Sequence, residues 1–168
     1  MRGKQASQGA RRVREFEAFV AGAAGRLLHA ATLLTAEAPD GNPRARRLLT
    51  LSLAHTYACW DRLQGEDPYV RARTYLATRF ARETAWHRQR SLRRDRPRPG
   101  GTLAALTAQE RLVLVLRVFD GVAEEQTAAL LALPVERVRT ICDRATATLL
   151  HPPRGPAPPA APAKATAP

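Results

Sequence analysis

Two sets of arginines in this sequence have the type and spacing to do chemistry, and both point to anion binding. The first lies in EEQTAALLALPVERVRTICDR, residues 124–144, where small and aliphatic residues recur at the spacing of two short helices joined by a tight turn. Ala128 is small enough for close helix contact, Ala132 and Leu133 enter the turn, and Pro134 suits the start of the second helix. Val138 is the buried anchor, and the apolar stripe continues through Ile141 or Cys142, Ala145 and Leu149. That register turns Glu136, Arg137, Arg139, Thr140, Asp143 and Arg144 outward. Arg137, Arg139, Thr140 and Arg144 are the donors among them, suited to phosphates and base edges. A helical hairpin with solvated charges has the same spacing, so the pattern alone leaves both readings open.

The second set comprises Arg71, Arg73, Arg79, Arg82, Arg88 and Arg90, interleaved with Tyr75, Phe80 and Trp86 at helical intervals. Phosphate contact by Arg79 and Arg82 with base stacking by Trp86 is the binding reading; aromatics at this spacing also build ordinary cores. No catalytic set competes. Ser52 and His55 lie within one turn, but no acid orients the imidazole and no oxyanion donor follows. Asp61, Glu66 and Asp67 surround a turn, where acids cap the next helix. Cys59, Cys142 and the four histidines have no ligand spacing, and glycine-rich phosphate loops are absent. The expectation is a binding protein and not an enzyme, with no metal or cofactor.

Composition agrees with a polyanionic partner: 27 basic against 15 acidic residues leave +12, with a pI near 11.3. Only Lys4 and Lys164 are lysines, and a GC-rich coding bias would also favour arginine. No run of 18 apolar residues occurs, and the basic start has no apolar segment behind it, which predicts a cytoplasmic chain with no membrane partner.

The elements that position these groups are read from punctuation and period. Residues 1–12 are polar and basic and read as a disordered tail. Phe16, Phe19, Val20, Ala23, Leu27, Leu28, Ala31 and Leu34 stripe a helix ending near Thr35, before the breaker AEAPDGNP. Leu48, Leu49, Leu51, Leu53, Thr56, Tyr57, Trp60 and Leu63 stripe a second, which Gly65 and Pro68 stop; a third begins near Pro68. HRQRSLRRDRPRPGG then reads as the end of a basic helix and a linker. In LTAQERLVLVLRVFDG, Thr107 and Glu110 have capping-box spacing, and LVLVLRVF, a strand by propensity, has no partner strand. The final HPPRGPAPPAAPAKATAP holds seven of the 13 prolines and cannot build a core. The fold class is all-α: two small helical domains joined by a basic linker, the second a helix-turn-helix. The boundaries are a tail over 1–12, a bundle over 13–90, a linker over 91–102, the helix-turn-helix over 103–151 and a disordered Pro/Ala tail over 152–168.

LTAQERLVLVLRVFDGVAEEQTAALLALPVERVRTICDRATATL resembles the C-terminal DNA-binding domain of an extracytoplasmic-function RNA polymerase sigma factor of the actinobacterial type. FEAFVAGAAGRLLHAATLLT, LAHTYACWDRL and DPYVRARTYLATRFARETAWHR resemble the first domain of the same family, in the same order, so the similarity spans residues 14–151. It implies a sigma domain 2-like first half that binds the polymerase clamp and melts the minus-ten element. It implies a sigma domain 4-like second half that grips the minus-thirty-five element. The implied partners are double-stranded promoter DNA, RNA polymerase core and an anti-sigma factor.

The departures fall on both surfaces. Where the family carries an acidic run resembling DAEDLVQE, this chain reads NPRARRLLTLS: Arg46 and Arg47 stand where acids are expected, and Thr50 and Leu51 replace a Gln-Glu pair. These four mark the polymerase-binding segment as divergent, since like charges facing each other cost several kcal/mol. In the second half the turn glycine is Ala132, the serine before the second helix is Pro134, and the family's KSR is Arg139, Thr140 and Ile141. The alternative is a sigma-like protein that does not initiate transcription and serves as a DNA-binding or protein-interaction regulator.

Overall fold

The structure, a computed structural model, describes the backbone of residues 2–63, 65–90 and 100–151 and the side chains of 7–63, 65–84 and 100–151. Its helices are α1 (Arg2–Thr35), α2 (Pro43–Ala58), α3 (Pro68–Arg90), α4 (Ala108–Leu114), α5 (Glu124–Leu131) and α6 (Val135–Leu150). A 3₁₀ turn, Trp60–Arg62, follows α2, and a π turn, Val115–Phe119, continues α4. There is no strand among the described residues. Most of the linker expected over 91–102, namely 91–99, and the tail expected over 152–168 lie outside the described residues.

Helix α1 ends at Thr35, where Ala36 takes a left-handed φ of 54°. It starts at Arg2, so residues expected as a loose tail are helical. At the inner end of that stretch Arg11 pairs with Glu15 at 2.8 Å one turn on, and Arg12 with Asp61 at 2.8 Å. Helix α2 begins before its apolar stripe because Pro43 presets the first turn, and Glu37 accepts from the amides of Arg44 at 3.2 Å and Ala45 at 2.9 Å. Asp67 caps α3 in the same manner, accepting from the Tyr69 amide at 2.8 Å. The Ser52 hydroxyl donates to the Ala72 carbonyl at 2.6 Å and pins α2 to α3.

In the second half, Thr107 and Glu110 form the expected capping box, with bonds of 2.8 and 3.3 Å. The strand-prone LVLVLRVF is helical throughout. Its last turn widens, and the Asp120 amide donates to Val115 O at 2.9 Å, five residues back. A helix apolar on every side needs partners on every side. Accordingly Leu112, Leu114, Val115 and Leu116 join one continuous core with Leu27 and Leu34 of α1 and Leu76 and Phe80 of α3. Val113 instead faces a smaller cluster with Ala128, Val138 and Ile141. The two helical lobes are therefore docked on each other.

Polar contacts reinforce that docking. Gly101 donates its amide to Ala36 O at 2.9 Å, and Arg111 Nε donates to Leu34 O at 2.7 Å. The Tyr69 hydroxyl donates to Asp120 Oδ1 at 2.9 Å, with Arg26 3.8 Å from the same carboxylate and His29 against the Phe119 ring. Burial, then the bond to Asp120 and its charge, push the Tyr69 phenol up to about 12. The stretch Ser7–Thr35 is long and apolar enough to cross a membrane, yet its apolar side, including Leu27, Ala31 and Leu34, is engaged by the other helices.

Candidate nucleic-acid interface

Helices α5 and α6 meet across a turn whose pivot is Ala132, in the left-handed region at φ 51°, ψ 46°. A glycine would adopt that conformation freely, and a side chain there costs about 1 kcal/mol. Leu133 closes the turn by donating its amide to Ala128 O at 3.0 Å. Pro134 is extended, at φ −60° and ψ 144°, and occupies the capping position before α6. Ala128, Val138, Ile141 and Ala145 are buried, as the spacing predicts, and Cys142 is half-buried. Leu149 is not part of that stripe: it is 37% exposed, because the last turn of α6 runs past its partners. Ile141 faces the core and takes no part in the outer surface.

That outer surface presents Arg137, Arg139 and Thr140, with Arg144 beside them, all exposed. They differ in their freedom. Arg137 has no hydrogen bond or ion pair among the described residues. Arg139 is held between Glu124, Nε to Oε1 at 3.2 Å, and Glu136, at 2.9 Å. The Thr140 hydroxyl donates to Glu136 O at 2.8 Å, leaving its oxygen lone pairs to accept. Arg144 ties α6 to the cap of α4 through Glu110, Nε to Oε1 at 2.7 Å. Burial raises the Glu110 carboxyl, but the Thr107 bonds and Arg144 outweigh it and hold the carboxyl below its ordinary value. The pairing of Arg139 with Glu136 is visible in the sequence as an i, i+3 step. Glu124 and Glu110 come from other helices, and nothing in the sequence marks them as partners.

On α3, Arg79 pairs with Glu83 at 2.9 Å, whereas Arg82 is exposed with no ion pair among the described residues. Phe80 is core, at 1% exposure, and Tyr75 stacks on His55 at 4.2 Å, so neither is a free stacking platform. The side chains of Trp86, Arg88 and Arg90 lie outside the described residues. On α2, Arg46, Arg47 and Thr50 are exposed and Leu51 is half-buried. Arg46 Nε donates to Asn42 Oδ1 at 2.9 Å, and the Thr50 hydroxyl donates to Arg46 O at 3.0 Å. No carboxylate lies within ion-pair distance of Arg44, Arg46 or Arg47 among the described residues, since Glu37 is committed to the α2 amides.

The helix-turn-helix has relatives. The Sigma-70, region 4 family matches residues 102–150. Over a longer span, the RNA polymerase sigma-E factor of Streptomyces coelicolor is 30% identical across 159 residues, covering 82% of this chain and 85% of that protein. The chain belongs to the extracytoplasmic-function sigma factors of RNA polymerase. The sigma-E factor of Streptomyces avermitilis is also 30% identical across 159 residues, covering 82% of this chain and 84% of its own. The solved structure of the sigma factor RpoE of Bartonella quintana, in complex with the anti-sigma factor NepR, shares the fold. It has a TM-score of 0.61 and 18% identity, covering 84% of this chain and 99% of that one.

As a sigma factor the chain is a transcription regulator with a DNA-binding helix-turn-helix, yet that part carries none of the excess charge. Between 102 and 151, five arginines meet six carboxylates: Glu110, Asp120, Glu124, Glu125, Glu136 and Asp143. The +12 of this sigma factor belongs to the segments outside region 4.

Proposed function

We propose that this sigma factor reads a promoter duplex through the outer face of α6 and engages core polymerase through the lobe of α1, α2 and α3. The observation that carries the reading is the register of α6: burying Val138, Ile141 and Ala145 leaves Arg137, Arg139, Thr140 and Arg144 on the opposite side. In this reading Arg79, Arg82 and Trp86 meet the opened minus-ten element. The role is binding in the cytoplasm, without catalysis, and an anti-sigma factor is a further partner.

The two promoter elements lie about 25 base pairs apart, or about 85 Å of duplex at 3.4 Å per step. Lobes that share a core cannot span that distance, so promoter binding separates them, and the contacts at Asp120 and Gly101 are those that part.

Association with purified core polymerase followed by run-off transcription tests the proposal: a complex and transcripts are expected, and the absence of both rejects it. Exposed Arg44, Arg46 and Arg47, in no ion pair among the described residues, favour a second reading in which the α2 face is closed to polymerase and the chain regulates without initiating. Duplex binding without polymerase association is its signature.

A further inference from the structure

One guanidinium on the outer face of α6 has its orientation set from another helix. Glu124, in the first turn of α5, accepts from a terminal nitrogen of Arg139 at 3.5 Å through Oε2, and its Oε1 lies 3.2 Å from Nε as an ion-pair contact. The carboxylate thus lies along the Nε edge of the guanidinium. Glu136 takes the other terminal nitrogen at 2.9 and 3.1 Å. The two carboxylates are not equivalent, since the Glu124 side chain is 18% exposed and that of Glu136 is 79% exposed. An exposed pair one turn apart on a helix holds weakly and yields to a competing anion. Glu124 is half-enclosed and sits where the α5 dipole favours a carboxylate, so it stays.

With its Nε edge on Glu124, Arg139 keeps three N–H groups once Glu136 moves aside, and one from each terminal nitrogen together form the end edge. Those two parallel N–H groups are the fork that pairs with O6 and N7 of guanine. We propose that Glu124 is the positioning residue that aims Arg139 at guanine and thereby sets the base preference of α6 at one position. The proposal rests on the reading that α6 enters the duplex groove. Without Glu124 the guanidinium turns freely and serves phosphates on any sequence as well as it serves a base.

The test uses the full chain, a random duplex pool to find a preferred sequence, and then competition with every single-base-pair variant of that sequence. Glu124→Gln keeps the shape of the side chain and removes its charge. It is expected to cut the preference for guanine at one position about tenfold. Binding to unrelated duplex is expected to rise, because a carboxylate has left a surface that faces phosphates. Arg139→Lys keeps the charge and loses the fork; it should relax the same position, and the double variant should relax it no further than either single one.

A wild type that selects no sequence overturns the groove reading and this proposal with it. A wild type that selects, with a Glu124→Gln variant of unchanged preference, overturns this proposal alone. Equal loss of specific and unrelated binding together with a lowered Tm would make Glu124 a stabilising residue only, and overturns it too.

Discussion

Arg137 and Arg139 stand two residues apart on one helix, and the electrostatics of their surroundings separate them. Arg137 pairs with none of the described residues, whereas Arg139 shares its charge with two carboxylates. Arg137→Ala should therefore weaken duplex binding and, if it meets a phosphate, lower the log–log salt slope by about 0.9. Fluorescence anisotropy across a salt series reads both, and an unchanged slope and affinity would remove Arg137 from the interface. Arg144 has a second duty through Glu110. Because the folded Glu110 carboxyl lies below its unfolded value, its contribution to stability is complete above the ordinary carboxylate range and is lost as pH falls through the folded value. Glu110→Gln should cost about 1 kcal/mol at neutral pH in urea unfolding and flatten the acid limb of stability against pH. The Thr107 cap is legible in the sequence because its partner is three residues away. Glu110 meets Arg144 34 residues on, a pairing that only the packing of α4 on α6 creates.

The elements follow the same division between local and distant causes. The end of α1 at Thr35 and the start of α3 at Pro68 follow from breakers and caps close in sequence, and both are legible. The start of α1 is not, since residues 2–12 are polar and basic with no apolar stripe, and the partner of Arg12 is Asp61, 49 residues away. Nor does the stripe of α6 show that its last turn is only partly covered, which is why Leu149 reads as buried and is 37% exposed. The all-round apolar character of LVLVL does signal burial, though not that its partner is the other lobe. Two substitutions test that junction. Tyr69→Phe removes the hydrogen bond to Asp120, leaving the carboxylate only the 3.8 Å contact with Arg26, and should cost about 1–3 kcal/mol in denaturant unfolding. With the Tyr69 phenol pushed up to about 12, the contribution of this bond is complete below the ordinary tyrosine value near 10 and is lost as pH rises through about 12. At Gly101 an added Cβ would lie 2.8 Å from the Ala36 carbonyl carbon, backbone against which nothing flexible can give. Gly101→Ala should lower Tm and raise amide exchange at the junction; protection equal to wild type would mean that the chain re-enters without this contact.

For the molecule as a whole, charge and shape divide the work between the lobes. Region 4 is close to neutral, while the remaining segments carry the positive charge; under the proposed reading the first discriminates between sequences and the second draws the chain to nucleic acid. Docked lobes cannot reach both promoter elements, so fluorophores on α1 and α6 should move apart when a promoter duplex binds; an unchanged transfer efficiency would mean that the closed form is the binding form. Each of these expectations requires the outer face of α6 to enter the duplex groove. A photo-crosslinking side chain in place of Thr140 tests it directly, with one in place of Val118, 67% exposed on the π turn, as the control. Crosslinks to bases from position 140 and none from position 118 are the predicted result. Equal yields from both, or none from position 140 on a duplex the protein demonstrably binds, would contradict it.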